Sequence, residues 1–465
     1  MKNKKIHFIG IKGVGMAALA VIAKEMGYLV SGSDETNTFV TDEELEKAGI
    51  SASEFNAKNV SEKPDLVVLS AAYNTENIEV KEAKKRHLEI VTYSEALARL
   101  SKESRVIAVS GIHGKTTTTA MISYLLFKAN LDPSYLVGSG NAGSLGQSSR
   151  YGHGEYFVLE ADEYKKSQEK PEPKFLDLSP EIEVITSIEL DHPDMFETEE
   201  DVYKAFYDFA CRVHRNGFIV LCVDYPKARK LINSIADRVF ETYGFLSEAK
   251  WRIVNFTENA EKTTFEIFHD GINLGPFQTK LPGEGNVLNA TAAIIVAMKL
   301  GISENLIKKN LSQFYGIKRR YEILGTFDSV TLIDDYAHHP RAISLTLEAI
   351  RKKYPKAKVF CIFQPHTYSR TKGLINEFAK AFNAADSVII TDIYASAREA
   401  IATTSGQELA SEVRKHQKNV KYIDDWDEIV NEINDNLKKP AVVVTMGAGD
   451  IYKLNDRIME GLKNG

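Results

Sequence analysis

Residues 111–119 read Gly-Ile-His-Gly-Lys-Thr-Thr-Thr-Thr, between an apolar run at 106–109 and an apolar helical pattern reaching 126. A glycine turn between a strand and a helix N-terminus aims backbone N–H groups and the positive end of the helix dipole at an anion. Lys115 can neutralise phosphate oxygens there, and the Thr116 hydroxyl suits Mg²⁺. The usual triphosphate loop, G-x-x-x-x-G-K-[ST], would carry its first glycine at 109. Val109 stands there instead, and Gly111 is the nearest glycine, so the loop is two residues short. The plain alternative is a glycine turn before a threonine-rich helix start.

Two acidic motifs follow. "YFVLEADEY" ends an apolar run on Glu160, Asp162 and Glu163, and "EVITSIELDHPDMF" ends another on Asp191 and His192. In a parallel sheet both would reach the edge where ligands bind. Glu160 is the expected oxygen ligand for Mg²⁺ beside Thr116, and His192 is a less usual ligand for a second metal. The alternative makes them solvated loop acids and a helix-entry histidine.

Near the N-terminus, Gly10-Ile11-Lys12-Gly13-Val14-Gly15 follows a strand-like run, with Asp34 further on. The spacing is G-x-x-G-x-G rather than the dinucleotide G-x-G-x-x-G, so an NAD-dependent oxidoreductase rests on this turn alone. In "LIDDYAHHPRAI", Asp334, Asp335, His338 and His339 invite a zinc reading. Adjacent histidines usually point apart, however, and His339-Pro340 also reads as a helix entrance.

The elements that must hold these residues are α/β throughout, because short β-branched runs alternate with amphipathic helical windows. A polar break at 99–105 and a glycine- and cation-bearing join at 314–325 divide the 465 residues into three. The expected domains are 1–103, 104–316 and 317–465. The expected fold is a Rossmann-like N-terminal domain, a central phosphate-loop ATPase domain with a mainly parallel sheet, and a Rossmann-like C-terminal domain. A net charge of −6 gives no reason to expect nucleic acid or an anionic membrane as partner. No stretch approaches the ~20 apolar residues of a membrane span. Three scattered cysteines form no metal or disulfide pattern, and a cytoplasmic protein is expected.

Taken in order, "GIKGVGM", "GSD", "GIHGKTTTT", "EADE", "DH", "GEGNVLNATAA", "KRRYE", "DDYAHHP", "QPHTYSRT", "TDIYASARE" and "MGAGDI" resemble the Mur ligase family over essentially the full length. The resemblance implies ADP-forming amide synthesis in peptidoglycan precursor assembly. L-alanine would join the lactyl carboxylate of UDP-N-acetylmuramate through an acyl phosphate; the alternative acceptor is a murein tripeptide in cell-wall recycling. Implied cofactors are ATP and Mg²⁺ at two sites, with Mn²⁺ able to substitute. ATP would be held by Gly111, His113, Gly114, Lys115, Thr116, Thr117, Asn286, Asn289, Arg319, Arg320 and Asp335. The metals would sit on Thr116, Glu160 and His192.

The N-terminal turn is reassigned to the UDP pyrophosphate, so Gly10, Gly13, Val14, Gly15, Ser33, Asp34 and Ser70 become sugar-nucleotide contacts. Tyr336, His338, His366 and Arg370 would face the incoming amino acid, with Arg370 gripping its carboxylate. Lys115, Glu160, His192, Arg320 and His338 would carry the chemistry, His338 as candidate base. One departure stands out: Gly285 occupies the place of the family's usual histidine in G-x-H-N, which motivates a catalytically silent nucleotide-binding regulator as a further alternative. Ligands drawn from three domains imply closure around the substrates. The sequence is silent on oligomeric state.

Overall fold

A computed structural model describes residues 4–139, 143–167, 169–192, 195–259, 261–395 and 404–464. The N-terminal sheet has five strands in the spatial order 52–54, 29–34, 5–9, 66–69 and 90–92, all parallel. The first strand, Lys5–Ile9, runs through the glycine turn into the helix Val14–Glu25. That helix buries every residue from Met16 to Ala23, as its run of small and aliphatic side chains requires.

The central sheet has ten strands. Its middle is parallel: Arg105–Ser110 lies between Tyr156–Glu160 and Ile182–Ile185. One flank departs from the expected α/β alternation. Strands Trp251–Glu258, Thr263–His269 and Ile272–Thr279 form an antiparallel meander joined to the parallel part through Phe240–Gly244. The alternation of buried and half-exposed residues in Thr263–His269 fits a sheet with one wet face. The helices Lys115–Lys128 and Glu284–Lys299 pack together. Both are buried along most of their length, so neither shows an amphipathic stripe. A second helix, Glu304–Leu311, follows.

The C-terminal sheet has six strands, parallel except for the edge pair Glu322–Phe327 and Val330–Asp335. The apolar cores divide unevenly. N-terminal and central residues belong to one continuous cluster, from Phe8 and Leu19 through Val109 and Ile122 to Phe314. The C-terminal sheet carries its own cluster on each face. It meets the central unit through polar pairs.

Candidate active site

Parallel order explains why motifs distant in sequence converge. Arg105–Ser110, Tyr156–Glu160 and Ile182–Ile185 run side by side, so the loops after them emerge at one edge. Those loops carry Gly111–Lys115, Glu160–Glu163 and Asp191–His192.

The short phosphate loop is braced by the strand that follows the acidic motif. The Ser187 hydroxyl accepts from His113 N at 2.8 Å, and Thr186 Oγ1 donates to Ser110 O at 3.0 Å. Gly111 (φ +124°) and Gly114 (φ +80°) take left-handed conformations. A Cβ on Gly111 would collide with Thr186 Oγ1, and one on Gly114 with Asn289 Oδ1. The loop is therefore compressed between two neighbours rather than defective.

Lys115 Nζ donates to Gly111 O at 2.6 Å and to both Glu163 oxygens at 2.8 and 3.1 Å. Burial pulls its pKa down, but Glu163, Asp162 and Glu160 outweigh that and raise it, so the ammonium persists. Thr116 Oγ1 lies 3.3 Å from Glu160 Oε2, and Gly138 N donates to Glu160 Oε1 at 2.6 Å. Arg320, from the C-terminal unit, reaches across to Thr116 Oγ1 at 3.2 Å. Burial pushes the Glu160 carboxyl up despite Gly138 N–H, Lys115, Arg320 and Thr116. Two hard oxygen donors, one a carboxylate short of compensating charge, fit Mg²⁺. Among the described residues no trio of His, Cys, Asp or Glu gathers to hold a metal. Any remaining ligands would then be phosphate and water, as is usual for Mg²⁺.

His192 (φ +54°) presents its ring to the same place. Its Nε2 lies 3.3 Å from Glu163 Oε1, its Nδ1 3.4 Å from Arg370 Nη2, and its ring 4.7 Å from that of Tyr164. For His192 to hold a second metal, one of these nitrogens must leave its protein neighbour. Arg370, expected to grip an amino-acid carboxylate, faces a carboxylate of the protein itself. Its Nε and Nη2 donate to Asp191 Oδ1 and Oδ2 at 2.9 and 3.3 Å in a buried bidentate pair. Burial alone would raise the Asp191 carboxyl, but His192 and Arg370 hold it well below its ordinary range.

A cavity of about 430 Å³ joins the three units. It is lined by Gly13, Val14, Gly15 and Ser70, then by His113–Thr116, Glu160 and His192, and finally by Arg320, Tyr336 and His338. Gly10 (φ +81°) begins the N-terminal turn, where a Cβ would press on Ser70 and Tyr73 at 2.7 Å. Gly13 caps the helix that follows. Two expected nucleotide contacts are turned inward. The fully buried Ser33 donates to Glu79 Oε2 at 2.5 Å, because its strand points it into a cluster with His7. The Asp34 carboxylate shapes the turn, accepting from Lys12 N at 2.7 Å, Tyr73 Oη at 2.8 Å and Glu35 N at 2.9 Å.

His338 Nδ1 lies 2.9 Å from Tyr336 O. A carbonyl only accepts, so Nδ1 carries the proton and Nε2 is left with its lone pair. Burial, with Arg370 and His366 nearby, drives the His338 pKa well below its usual value, so the ring stays neutral. His366 stacks on Tyr394, ring centres 5.8 Å apart, and is not among the residues lining the cavity. His339 caps the helix Pro340–Lys353, as its Pro340 neighbour suggested.

A second cavity, about 150 Å³, adjoins the loop. Thr117, Asn286, Asn289, Arg320, Tyr321 and Asp335 line it. Asn289 Oδ1 accepts from Thr118 at 3.2 Å, tying the two buried helices together. Asp335 accepts from Tyr321 N and Ala337 N, each at 2.7 Å. A Cβ at Gly285 would meet nothing within 4 Å, so this departure leaves open space on the cavity wall. Arg319, expected on ATP beside Arg320, packs among aromatic rings. It is sandwiched between Tyr336 and Tyr452, ring centres at 4.9 and 4.4 Å, and donates to Gly447 O at 2.7 Å. Of the two adjacent arginines, only Arg320 lines these cavities.

Sequence reasoning gave no role to Lys174, whose ammonium pairs with Asp162 at 2.6 Å on the cavity wall. Thr186 and Ser187 were also missed, and no local pattern marks them. Residues 396–399 of "TDIYASARE" and residues 193–194 of "DHPDMF" lie outside the described residues.

The chain matches the Mur ligase family, catalytic domain, over residues 5–105, the Mur ligase middle domain over 109–297, and the Mur ligase, glutamate ligase domain over 319–449. It is 38% identical over 464 residues to the UDP-N-acetylmuramate–L-alanine ligase of Caldanaerobacter subterraneus subsp. tengcongensis, covering 99% of this chain and 98% of the relative. The crystal structure of the UDP-N-acetylmuramate–alanine ligase of Thermotoga maritima superposes with a TM-score of 0.81 at 26% identity, covering 99% of each chain. A murein peptide ligase from Psychrobacter arcticus, 24% identical, shares the fold with a TM-score of 0.73 over 100% of this chain and 99% of its own.

Proposed function

The chain belongs to the Mur ligase family, and from that premise we propose that it is an ATP-dependent amide ligase joining L-alanine to the lactyl carboxylate of UDP-N-acetylmuramate. The observation that carries this reading is one cavity reaching from the glycine turn at Gly13–Gly15 to Lys115, Thr116 and Arg320. A sugar-nucleotide carboxylate and a γ-phosphate can meet there.

A free carboxylate resists attack by an amine because oxide is a poor leaving group. Phosphorylating it with ATP creates an acyl phosphate that the amine can displace. That transfer demands charge neutralisation and in-line positioning more than covalent chemistry by the protein. Lys115 faces the transferred phosphoryl group, and Arg320 brings a second cation from the C-terminal unit. Mg²⁺ on Thr116 and Glu160 would supply further neutralisation of triphosphate oxygens. Asn286, Asn289 and Asp335 are proposed to line the nucleoside end. His338, neutral with an unprotonated Nε2, is the proposed acceptor for the amine proton. Packing of the three units around the cavity would keep water from the acyl phosphate.

The test is a coupled assay of phosphate release. Release should require ATP, UDP-N-acetylmuramate and L-alanine together, and Lys115→Met should abolish it. Activity with a murein tripeptide but not with L-alanine would overturn the choice of acceptor. Phosphate release independent of any amine would overturn the reaction.

A further inference from the structure

Glu163 lies three residues beyond the expected metal ligand, and its side chain is 1% exposed. It sits between two groups the reaction uses. One oxygen is 2.8 Å from Lys115 Nζ, and the other is 3.1 Å from the same ammonium and 3.3 Å from His192 Nε2. The geometry also fixes the imidazole. Arg370 Nη2 can only donate, so the His192 Nδ1 that faces it at 3.4 Å is the acceptor. In the neutral ring the proton therefore resides on Nε2 and points to Glu163, and in the imidazolium Nε2–H makes the same contact.

We propose that Glu163 is a positioning residue, which sets the place of the Lys115 ammonium and the orientation and tautomer of His192 at the phosphoryl-transfer centre. The proposal rests on the ligase reading. A buried carboxylate facing a bound triphosphate would repel it, so a role in nucleotide affinity alone would make this a poor residue choice. Its use lies in alignment. Lys115 Nζ donates to Gly111 O and to both Glu163 oxygens, so the ammonium is held at one place on the cavity wall. The anion that costs binding thereby gains order at the reacting atoms.

That opposition of effects makes the test specific. Glu163→Gln removes the charge and keeps the shape. It should lower kcat roughly 10- to 100-fold, the usual loss when a supporting partner of a site residue is removed, while KM for ATP stays level or falls. Glu163→Asp, which restores the charge on a shorter stem, should recover part of kcat. A kcat for Glu163→Gln within about threefold of the parent overturns the proposal. So does a loss of kcat accompanied by raised KM and a lowered Tm, which is the signature of a packing role.

Calorimetry with ADP and with a non-hydrolysable ATP analogue keeps this separate from the identity of the acceptor. Glu163→Gln should tighten the analogue relative to ADP, because the carboxylate sits at the lysine end of the loop, and an unchanged ratio counts against the proposal. If the parent protein releases no phosphate with L-alanine, the acceptor assignment fails and the calorimetric comparison still decides the role of Glu163.

Discussion

Beneath the phosphate loop, Glu183 is fully buried in the middle of the parallel sheet. Its Oε1 accepts from Ser110 Oγ at 2.9 Å, while Oε2 has no hydrogen-bond partner among the described residues. Burial pushes the carboxyl up to about 8, with only the Ser110 hydroxyl acting the other way. In the unfolded chain it titrates near its ordinary 4.5. The folded protein thus keeps a proton that the unfolded chain has lost between these values. The stability this proton contributes is complete below the unfolded value, declines as pH rises, and is gone above about 8. Glu183→Gln, always neutral, lacks that decline. Melting temperatures at pH 5, 7 and 9, values spanning the window, should therefore show the parent losing ground to Glu183→Gln as pH rises. Parallel curves would contradict the assignment. Partners of this kind were not legible from the sequence. Glu183 reads there as one residue in a β-branched run, and Glu163 meets Lys115 only because the sheet folds residues 48 apart onto one edge.

At the scale of elements, the phosphate loop depends on the helix Glu284–Lys299 as much as on its own glycines. Asn289 occupies the space a Cβ on Gly114 would need, and Gly114 is also left-handed. Gly114→Ala therefore carries two separable penalties. A left-handed non-glycine costs about 1–2 kcal/mol whatever its surroundings, and the collision with Asn289 adds to it. Adding Asn289→Gly should relieve the collision but not the backbone strain. The expected outcome is a steep loss of ATP-analogue affinity and stability in Gly114→Ala, with partial recovery of stability in the double variant, read by calorimetry and thermal melts. Strict additivity of the two changes would mean that the helix does not brace the loop.

The parallel strands and their loops were legible because fully buried strands must be apolar runs, and turn glycines mark their ends. The antiparallel meander at 251–279 breaks the expected α/β alternation, since which strands pair, and in which direction, is decided by contacts outside the run. The helix Glu304–Leu311 is short, and its Ser303 N-cap is a weak signal beside the longer helix it follows. Arg319 shows the same limit at the site: its neighbour Arg320 faces the cavity, and a rotation of one residue along the linker decides which of the two does.

Across the whole molecule, the two junctions between units differ in kind. One apolar cluster runs through the N-terminal and central units, so separating them would expose hydrocarbon. The C-terminal unit is held to the central one by Arg370–Asp191, Arg341–Glu189 and Lys352–Glu284, together with Arg320 on Thr116. Exposed pairs such as Lys352–Glu284 contribute about 0–1 kcal/mol. Removing one partner of a buried pair costs about 3–5 kcal/mol because the other charge is left stranded. Arg370 and Asp191 are each 6% exposed in their side chains, so this pair governs docking of the C-terminal unit. Arg370→Met should loosen that docking, giving a larger radius of gyration by X-ray scattering and faster proteolysis around the join at 314–325. Pairing it with Asp191→Asn removes the stranded charge and should restore much of the compactness, whereas Lys352→Met should leave both measurements where they were. If Arg370→Met and Lys352→Met behave alike, the buried pair is not what holds the unit, and the contact of Arg320 with the phosphate loop becomes the feature that brings the third unit to the site.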